Sequence, residues 1–239
     1  MEVLNDLLDY KGLKIYQNTE MFSFSLDSVL LANFVKIKKD TKKILDIGTG
    51  NAPIPLILST KTKSEIYGVE IQEQVCDLAY RSVKYNELDK QIKIINNDIM
   101  SQVDIWQNEM FDIITCNPPF FPVTENVKLC DSKWKQIARH ELYLDVDKII
   151  RVSRKLLKNN GSLYIVHRPE RLSYILDIMR KGNIEPKRIQ FVHPKKNISA
   201  NIVLIEGIKM GKLGIEVEYP IVSHNNDGTY TEEIKKMFR

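Results

Sequence analysis

A chain of 239 residues, 43% hydrophobic and 28% charged, can bury a sizeable core, which excludes a chain disordered by composition. Its formal charge of +4 and pI of about 8.8 permit a nucleic-acid partner without requiring one. No apolar run is long enough to span a membrane, the N-terminus lacks a signal-peptide pattern, and Cys76, Cys116 and Cys130 form no CxxC pair, so the sequence implies a reduced, cytoplasmic protein with no zinc or other metal site.

The first 40 residues are expected to form a partial lid ahead of one domain over residues 41–239. The lid would be a short helix, the segment Phe22–Asp27 and a helix from about Ser28 to Val35. From about residue 43, strand-like and helix-like patterns alternate, which predicts parallel βαβ units. Strands are expected at Lys43–Ile47, Glu65–Val69, Ile92–Ile95, Phe111–Cys116 and Ser162–His167. Ile71, Val75, Leu78, Ala79 and Ser82 make one helical stripe, and Val146, Ile149, Ile150, Leu156 and Leu157 another, with Gly161 closing the turn after it. Pro169 opens a helix whose apolar face is Leu172, Ile175, Leu176 and Met179. Ile184–His193 and Ala200–Gly207 are extended runs joined by a loop too short for a crossover helix, so they should pair antiparallel. A parallel sheet ending in such a hairpin is the layout of class I methyltransferases, whereas dinucleotide dehydrogenases continue with another βαβ unit.

Asp46-Ile-Gly-Thr-Gly-Asn-Ala-Pro53 lies between a strand and a helix. Gly48 and Gly50 let the backbone turn tightly and approach a ligand, Asn51 can cap the helix, and Pro53 suits its first turn. Ala52 stands where a third glycine is often found. Glu70, ending the second strand, can accept hydrogen bonds from both hydroxyls of a ribose. Asp98, after the third strand, can bind an adenine amino group, position the loop or serve as a helix cap. Asp46 ahead of the glycines argues against NAD, and the missing Gly-Lys-Ser/Thr excludes a P-loop.

Asn117-Pro-Pro-Phe120 follows the fourth strand. An aromatic exocyclic amine is a poor nucleophile because its lone pair is delocalised into the ring. Two acceptors aimed at its N–H groups let the nitrogen become tetrahedral as an alkyl group arrives. The Asn117 side-chain oxygen is one acceptor and the Pro118 carbonyl the other, while Phe120 offers a face for a base to stack on. Asn is neutral, as a neutral amine requires. Basic clusters at Lys133/Lys135/Arg139/His140, His167/Arg168/Arg171, Lys187/Arg188 and His193/Lys195/Lys196 follow strands or lie in loops. They are either solvated faces or phosphate contacts.

These motifs resemble class I S-adenosylmethionine-dependent N6-adenine methyltransferases. The similarity is closer to the bacterial subfamily that modifies adenine-37 beside the anticodon of valine tRNA. It is carried by Phe24-Ser-Leu-Asp-Ser-Val-Leu-Leu31, Leu45–Asn51, Gly68-Val-Glu-Ile-Gln72, Thr115–Phe121, Ala138-Arg-His-Glu141, Val166–Leu172, Pro186–Pro194 and Tyr230-Thr-Glu-Glu233. The resemblance implies a Rossmann-like, mostly parallel seven-stranded sheet with an antiparallel C-terminal hairpin and a short N-terminal lid. It implies S-adenosylmethionine as cofactor, held by Asp46, Gly48, Gly50, Glu70 and Asp98, and tRNA as partner. Asn117, Pro118 and Phe120 would hold the target base. Read from the basic clusters themselves, Arg139, His140, Arg168, Lys195 and Lys196 are the candidate RNA contacts. Three alternatives remain at this point: a protein glutamine methyltransferase, an rRNA guanine-N2 methyltransferase, and an RNA-binding module with a vestigial cofactor pocket.

Overall fold

The computed structural model describes residues 1–7, 12–19, 25–118 and 145–238. The chain opens on strands β1 (Glu2–Asp6) and β2 (Lys14–Asn18), which pair with each other, antiparallel, as a separate two-stranded sheet among the described residues. A hairpin therefore stands where the sequence suggested a short helix. β1 has almost no buried side chain, so no apolar alternation marks it as a strand. The hairpin is held from outside: Asn86 brackets Lys14, accepting from its N–H and donating to its carbonyl, and the Tyr16 N–H donates to Ser82 Oγ at 2.9 Å.

Helix α1 (Leu26–Phe34) follows, close to the expected helix. Then come β3 (Lys43–Ile47), α2 (Pro53–Ser59), β4 (Glu65–Glu70), α3 (Glu73–Tyr85), β5 (Ile92–Asn96), α4 (Ile99–Ile105) and β6 (Phe111–Cys116). After residue 145 the elements are α5 (Val146–Leu156), β7 (Leu157–His167), α6 (Leu172–Lys181), β8 (Ile184–His193), β9 (Ile202–Lys209), β10 (Glu216–Val217), β11 (Ile221–Val222) and α7 (Glu232–Met237).

The main sheet runs β10-β8-β9-β7-β6-β3-β4-β5, and β11 also pairs with β8. Its seven long strands are parallel except β9, which is antiparallel to both β7 and β8. β10 and β11 are two-residue additions at the β8 edge that nothing in the sequence pattern marked. Alternate strand residues feed two cores. Ile44, Ile66 and Ile113 face α1, α2 and α3, meeting Val29, Leu56, Ile57, Ala79 and Val83. Leu45, Ile47 and Ile114 face α4, α5 and α6, meeting Val103, Ile149, Ile150, Ile175 and Met179. Burial on both faces explains why these strands read as continuous apolar runs.

Helix α5 ends at Leu156 and the chain enters β7 directly, with a register shift opposite Phe111 and Ile113. The left-handed residue there is Asn160 (φ 63°), not Gly161. Gly161 is needed for space, because a Cβ on it would sit 2.9 Å from the Lys158 carbonyl and 3.0 Å from that of Asp112.

Arg188 does not belong to a phosphate-binding cluster as the sequence allowed. It is buried, with Nε donating to Glu206 at 2.6 Å, a second amine to Glu218 at 3.0 Å and a third to the Phe34 carbonyl at 2.7 Å. Its guanidinium lies 3.7 Å from the Phe34 ring centroid, which fastens α1 to the sheet.

Candidate active site

The loop after β3 is shaped by backbone that L side chains rarely adopt. Gly48, Gly50 and Ala52 have φ of 65°, 58° and 71°. Gly50 donates its N–H to Glu70 Oε2 at 3.0 Å, and Glu70 Oε1 accepts from the Gln72 N–H at 3.0 Å. The carboxylate thus joins the glycine loop to the end of β4. Each oxygen keeps a further lone pair for a ligand hydroxyl. A Cβ built on Gly50 would meet nothing within 4 Å, so the loop faces open space there.

Asp46 sits under this loop, 1% exposed. Its Oδ2 accepts from Thr49 Oγ1 at 2.7 Å and its Oδ1 from Thr115 Oγ1 at 2.6 Å. Burial pushes its carboxyl up to about 7; the two threonine bonds oppose that rise, and the Glu70 charge adds to it. Asp46 therefore braces the loop from below through two threonines to which the sequence assigned no role. Gly68 makes room for Thr49, since a Cβ on it would lie 2.9 Å from the Thr49 hydroxyl.

Asn51 does not cap α2. Its amide donates to the Tyr16 carbonyl at 2.8 Å, and Ala52 holds the N-cap position with no side-chain cap. Pro53 and Pro55 have no N–H, so the first turn of α2 has little for a cap to satisfy. Asp98 caps α4, accepting from the Met100 N–H at 2.9 Å while staying half-buried.

β6 delivers the acceptor residues. In the β3–β6 register Ile47 faces Cys116, so Gly48 and Asn117 leave adjacent strand ends side by side. Asn117 donates its side-chain amide to Ser28 Oγ of α1 at 3.0 Å, and Pro118 is buried behind it. Phe120, Arg139 and His140 lie outside the described residues.

β7 and β8 run parallel to β6 in direction, so the residues after them share its rim. His167 ends β7, 5% exposed, and its desolvated ring is pushed down to about 4, so it stays neutral. Arg168 donates to the Asn201 carbonyl at 2.9 Å, and its charge partly offsets the burial that raises the Asp27 carboxyl. Lys195 donates to the Asn226 carbonyl at 3.1 Å, and Lys196 is exposed. Among the described residues no group of three or more His, Cys, Asp or Glu is placed to hold a metal ion, and no helix is long and apolar enough to cross a membrane.

The family model described as "Methyltransferase small domain" matches residues 12–180, most of the chain and every part of this site except the rim beyond β8. The chain belongs to that family. Among curated relatives, the tRNA1(Val) (adenine(37)-N6)-methyltransferase of Trichodesmium erythraeum is 29% identical over 200 residues, covering 82% of each chain. That of Parabacteroides distasonis is 26% identical, covering 84% of this chain and 83% of its own. That of Christiangramia forsetii is 26% identical and covers 98% and 96%. Among solved structures, a predicted O-methyltransferase, Atu636 from Agrobacterium tumefaciens, superposes with a TM-score of 0.69 at 18% identity, over 89% of this chain and 95% of that one. P. horikoshii TYW2 in complex with MeSAdo gives 0.61 at 12% identity, over 88% and 72%. The fold is thus the class I methyltransferase fold expected from the strand pattern, with a mixed central sheet whose antiparallel member is β9.

Proposed function

We propose that this protein transfers a methyl group from S-adenosylmethionine to the N6 amino group of adenine-37 in the anticodon loop of valine tRNA. The observation that carries this reading is the adjacency of Gly48 and Asn117 at the ends of β3 and β6. A loop suited to a nucleoside and a pair of acceptors suited to an amine open on the same cleft. The curated relatives bear the name of that activity over most of their length.

The residues present fit the cofactor. Glu70 can accept from ribose hydroxyls with the lone pairs left beside its bonds to Gly50 and Gln72. The open space over Gly50 admits the ligand, and Asp98, at the turn from β5 into α4, is the partner of an adenine amino group. When bound, S-adenosylmethionine supplies an electrophilic methyl on a positively charged sulfur. The chain's own part is positioning, an effect worth roughly 7–11 kcal/mol. Asn117 Oδ1 and the Pro118 carbonyl accept the two N–H groups of the amine and present its lone pair, and the proton released passes to water. A loop adenine is already unpaired, so bringing it into the cleft costs little. Arg168, Lys195 and Lys196 hold backbone phosphates along the rim, and the protein works in the cytoplasm.

The test is transfer of labelled methyl to unmodified bulk tRNA, followed by nucleoside analysis, with wild-type and Asn117→Ala proteins. N6-methyladenosine that falls by about 100-fold or more in the variant, with cofactor still bound, is the expected result. Absence of label in tRNA, with label instead in ribosomal RNA or in a protein glutamine, would overturn the substrate assignment.

A further inference from the structure

A side-chain amide serves the acceptor role only when its oxygen faces the amine. Turned the other way, it sets its own N–H groups against those of the substrate. Some contact must therefore decide which way Asn117 points. Its backbone cannot do so, because the terminal amide torsion is broad and two-fold. The Asn117 amide nitrogen lies 3.0 Å from Ser28 Oγ. The bond to Ser28 is made by the amide nitrogen, so Oδ1 is the end of the amide turned away from Ser28.

Ser28 is well placed to hold this bond. It is 4% exposed, in the first half of α1, and its position depends on that helix rather than on a mobile loop. α1 is anchored at its far end by the buried guanidinium of Arg188 on the Phe34 carbonyl, and its flanks pack Val29, Leu30 and Leu31 into the core. The serine lies 89 residues from Asn117 in sequence, so the contact is made only by the tertiary fold.

We infer that Ser28 is a positioning residue for the methyl transfer: its hydroxyl oxygen accepts from the Asn117 amide nitrogen and holds that side chain in place, with Oδ1 turned away from Ser28. This inference rests on the proposed role of Asn117 as an amine acceptor. The role assigned to Ser28 is exerted through Asn117. Without it the amide is free to rotate, and a fraction of the molecules presents the wrong end.

The test uses the full chain with Ser28→Ala, Ser28→Thr and Asn117→Ala. Steady-state methylation of unmodified tRNA is measured together with S-adenosylmethionine affinity and the side-chain amide signals of 15N-labelled protein. The Asn117 amide pair is assigned by its loss in Asn117→Ala. In Ser28→Ala, kcat is expected to fall about tenfold or more, as a small misplacement at a reacting group does. KM for tRNA and the cofactor affinity should stay within about twofold, and the Asn117 amide pair should move toward the shift of a solvated amide. Ser28→Thr, which keeps the hydroxyl, should recover most of kcat. A wild-type kcat in Ser28→Ala, or an unmoved Asn117 amide pair, overturns the inference. So does a loss of kcat that comes with an equal loss of cofactor affinity and is not rescued by threonine, since that marks a packing role. Full activity in Asn117→Ala would instead refute the acceptor reading itself, a separate result from any obtained at Ser28.

Discussion

The side-chain amide of Asn51 donates to the backbone carbonyl of Tyr16 at 2.8 Å, so the glycine loop after β3 is tied to the β1–β2 hairpin. Tyr16 is itself held on α3 by its N–H bond to Ser82 and by Arg81, whose guanidinium lies 4.8 Å from its ring centroid. The hairpin is therefore a brace on the loop as well as a terminal segment. Asn51→Ala leaves the Tyr16 carbonyl without that donor. The expected cost is about 1 kcal/mol of stability, or a Tm lower by roughly 2–4 °C for a chain of this size. Cofactor affinity should weaken at the same time. A variant with wild-type Tm and affinity would show that the bond braces nothing.

Glu70 is expected to dominate cofactor affinity. Glu70→Ala removes the acceptors for the Gly50 and Gln72 N–H groups together with those offered to the ribose. Calorimetric titration with S-adenosylmethionine should show a loss of about tenfold or more. Glu70→Gln keeps one acceptor oxygen and should lose less. Unchanged affinity in the alanine variant would sink the ribose assignment.

Two buried groups near the site give stability opposite pH dependences. Asp46 has its carboxyl raised to about 7 by burial, so between about 4 and 7 the folded chain binds more protons than the unfolded one. Its contribution to stability therefore falls as pH rises across that window. His167 is pushed down to about 4 by burial, so the folded chain binds fewer protons between about 6.5 and 4. Its contribution falls as pH drops across that window. Urea melts at about pH 5 and about pH 8 should show Asp46→Asn gaining stability relative to wild type mainly at the higher value, and His167→Gln mainly at the lower. A variant whose difference from wild type is the same at both pH values would contradict the burial-driven shift at that residue.

The rim after β8 is expected to read phosphate charge. Lys196 is exposed, and Lys195 reaches across to the Asn226 carbonyl. Lys196→Ala should weaken tRNA binding and lower the slope of log affinity against log salt by about one. An unchanged slope would place the RNA path elsewhere.

The parallel strands and their helices were legible because strands buried on both faces must be apolar throughout, and the helices between them must carry a one-sided stripe. The hairpin of β8 and β9 followed from a loop too short for a crossover. The β1–β2 hairpin escaped because its strands are short and β1 is largely uncovered, and its hold comes from Ser82 on α3 and Asn86 just after it. Asn51 was misread because a local cap is the usual use of asparagine at a helix start. The two prolines of α2 removed that need, and a distant carbonyl took the side chain. Asp46 and Asn117 were found from motifs, but not their partners. Thr115 and Ser28 lie 69 and 89 residues away from them, and no spacing rule links positions that far apart.

The packing of α1 has a consequence for how the protein is made. Its Phe34 carbonyl waits for Arg188, 154 residues later, and its Asn33 amide reaches the Met237 carbonyl across 204 residues at 3.3 Å. Ile234 and Phe238 are buried in the core that covers the same helix. On a ribosome, the glycine loop and the Asn117 strand are synthesised long before the surfaces that seat Ser28 exist. The nascent chain can thus assemble much of its cofactor cleft while its acceptor end is still unset. Competence to methylate would arrive only once Arg188 and the residues of α7 have been made, so that a chain broken off before them, even if it bound cofactor, would leave RNA unmarked.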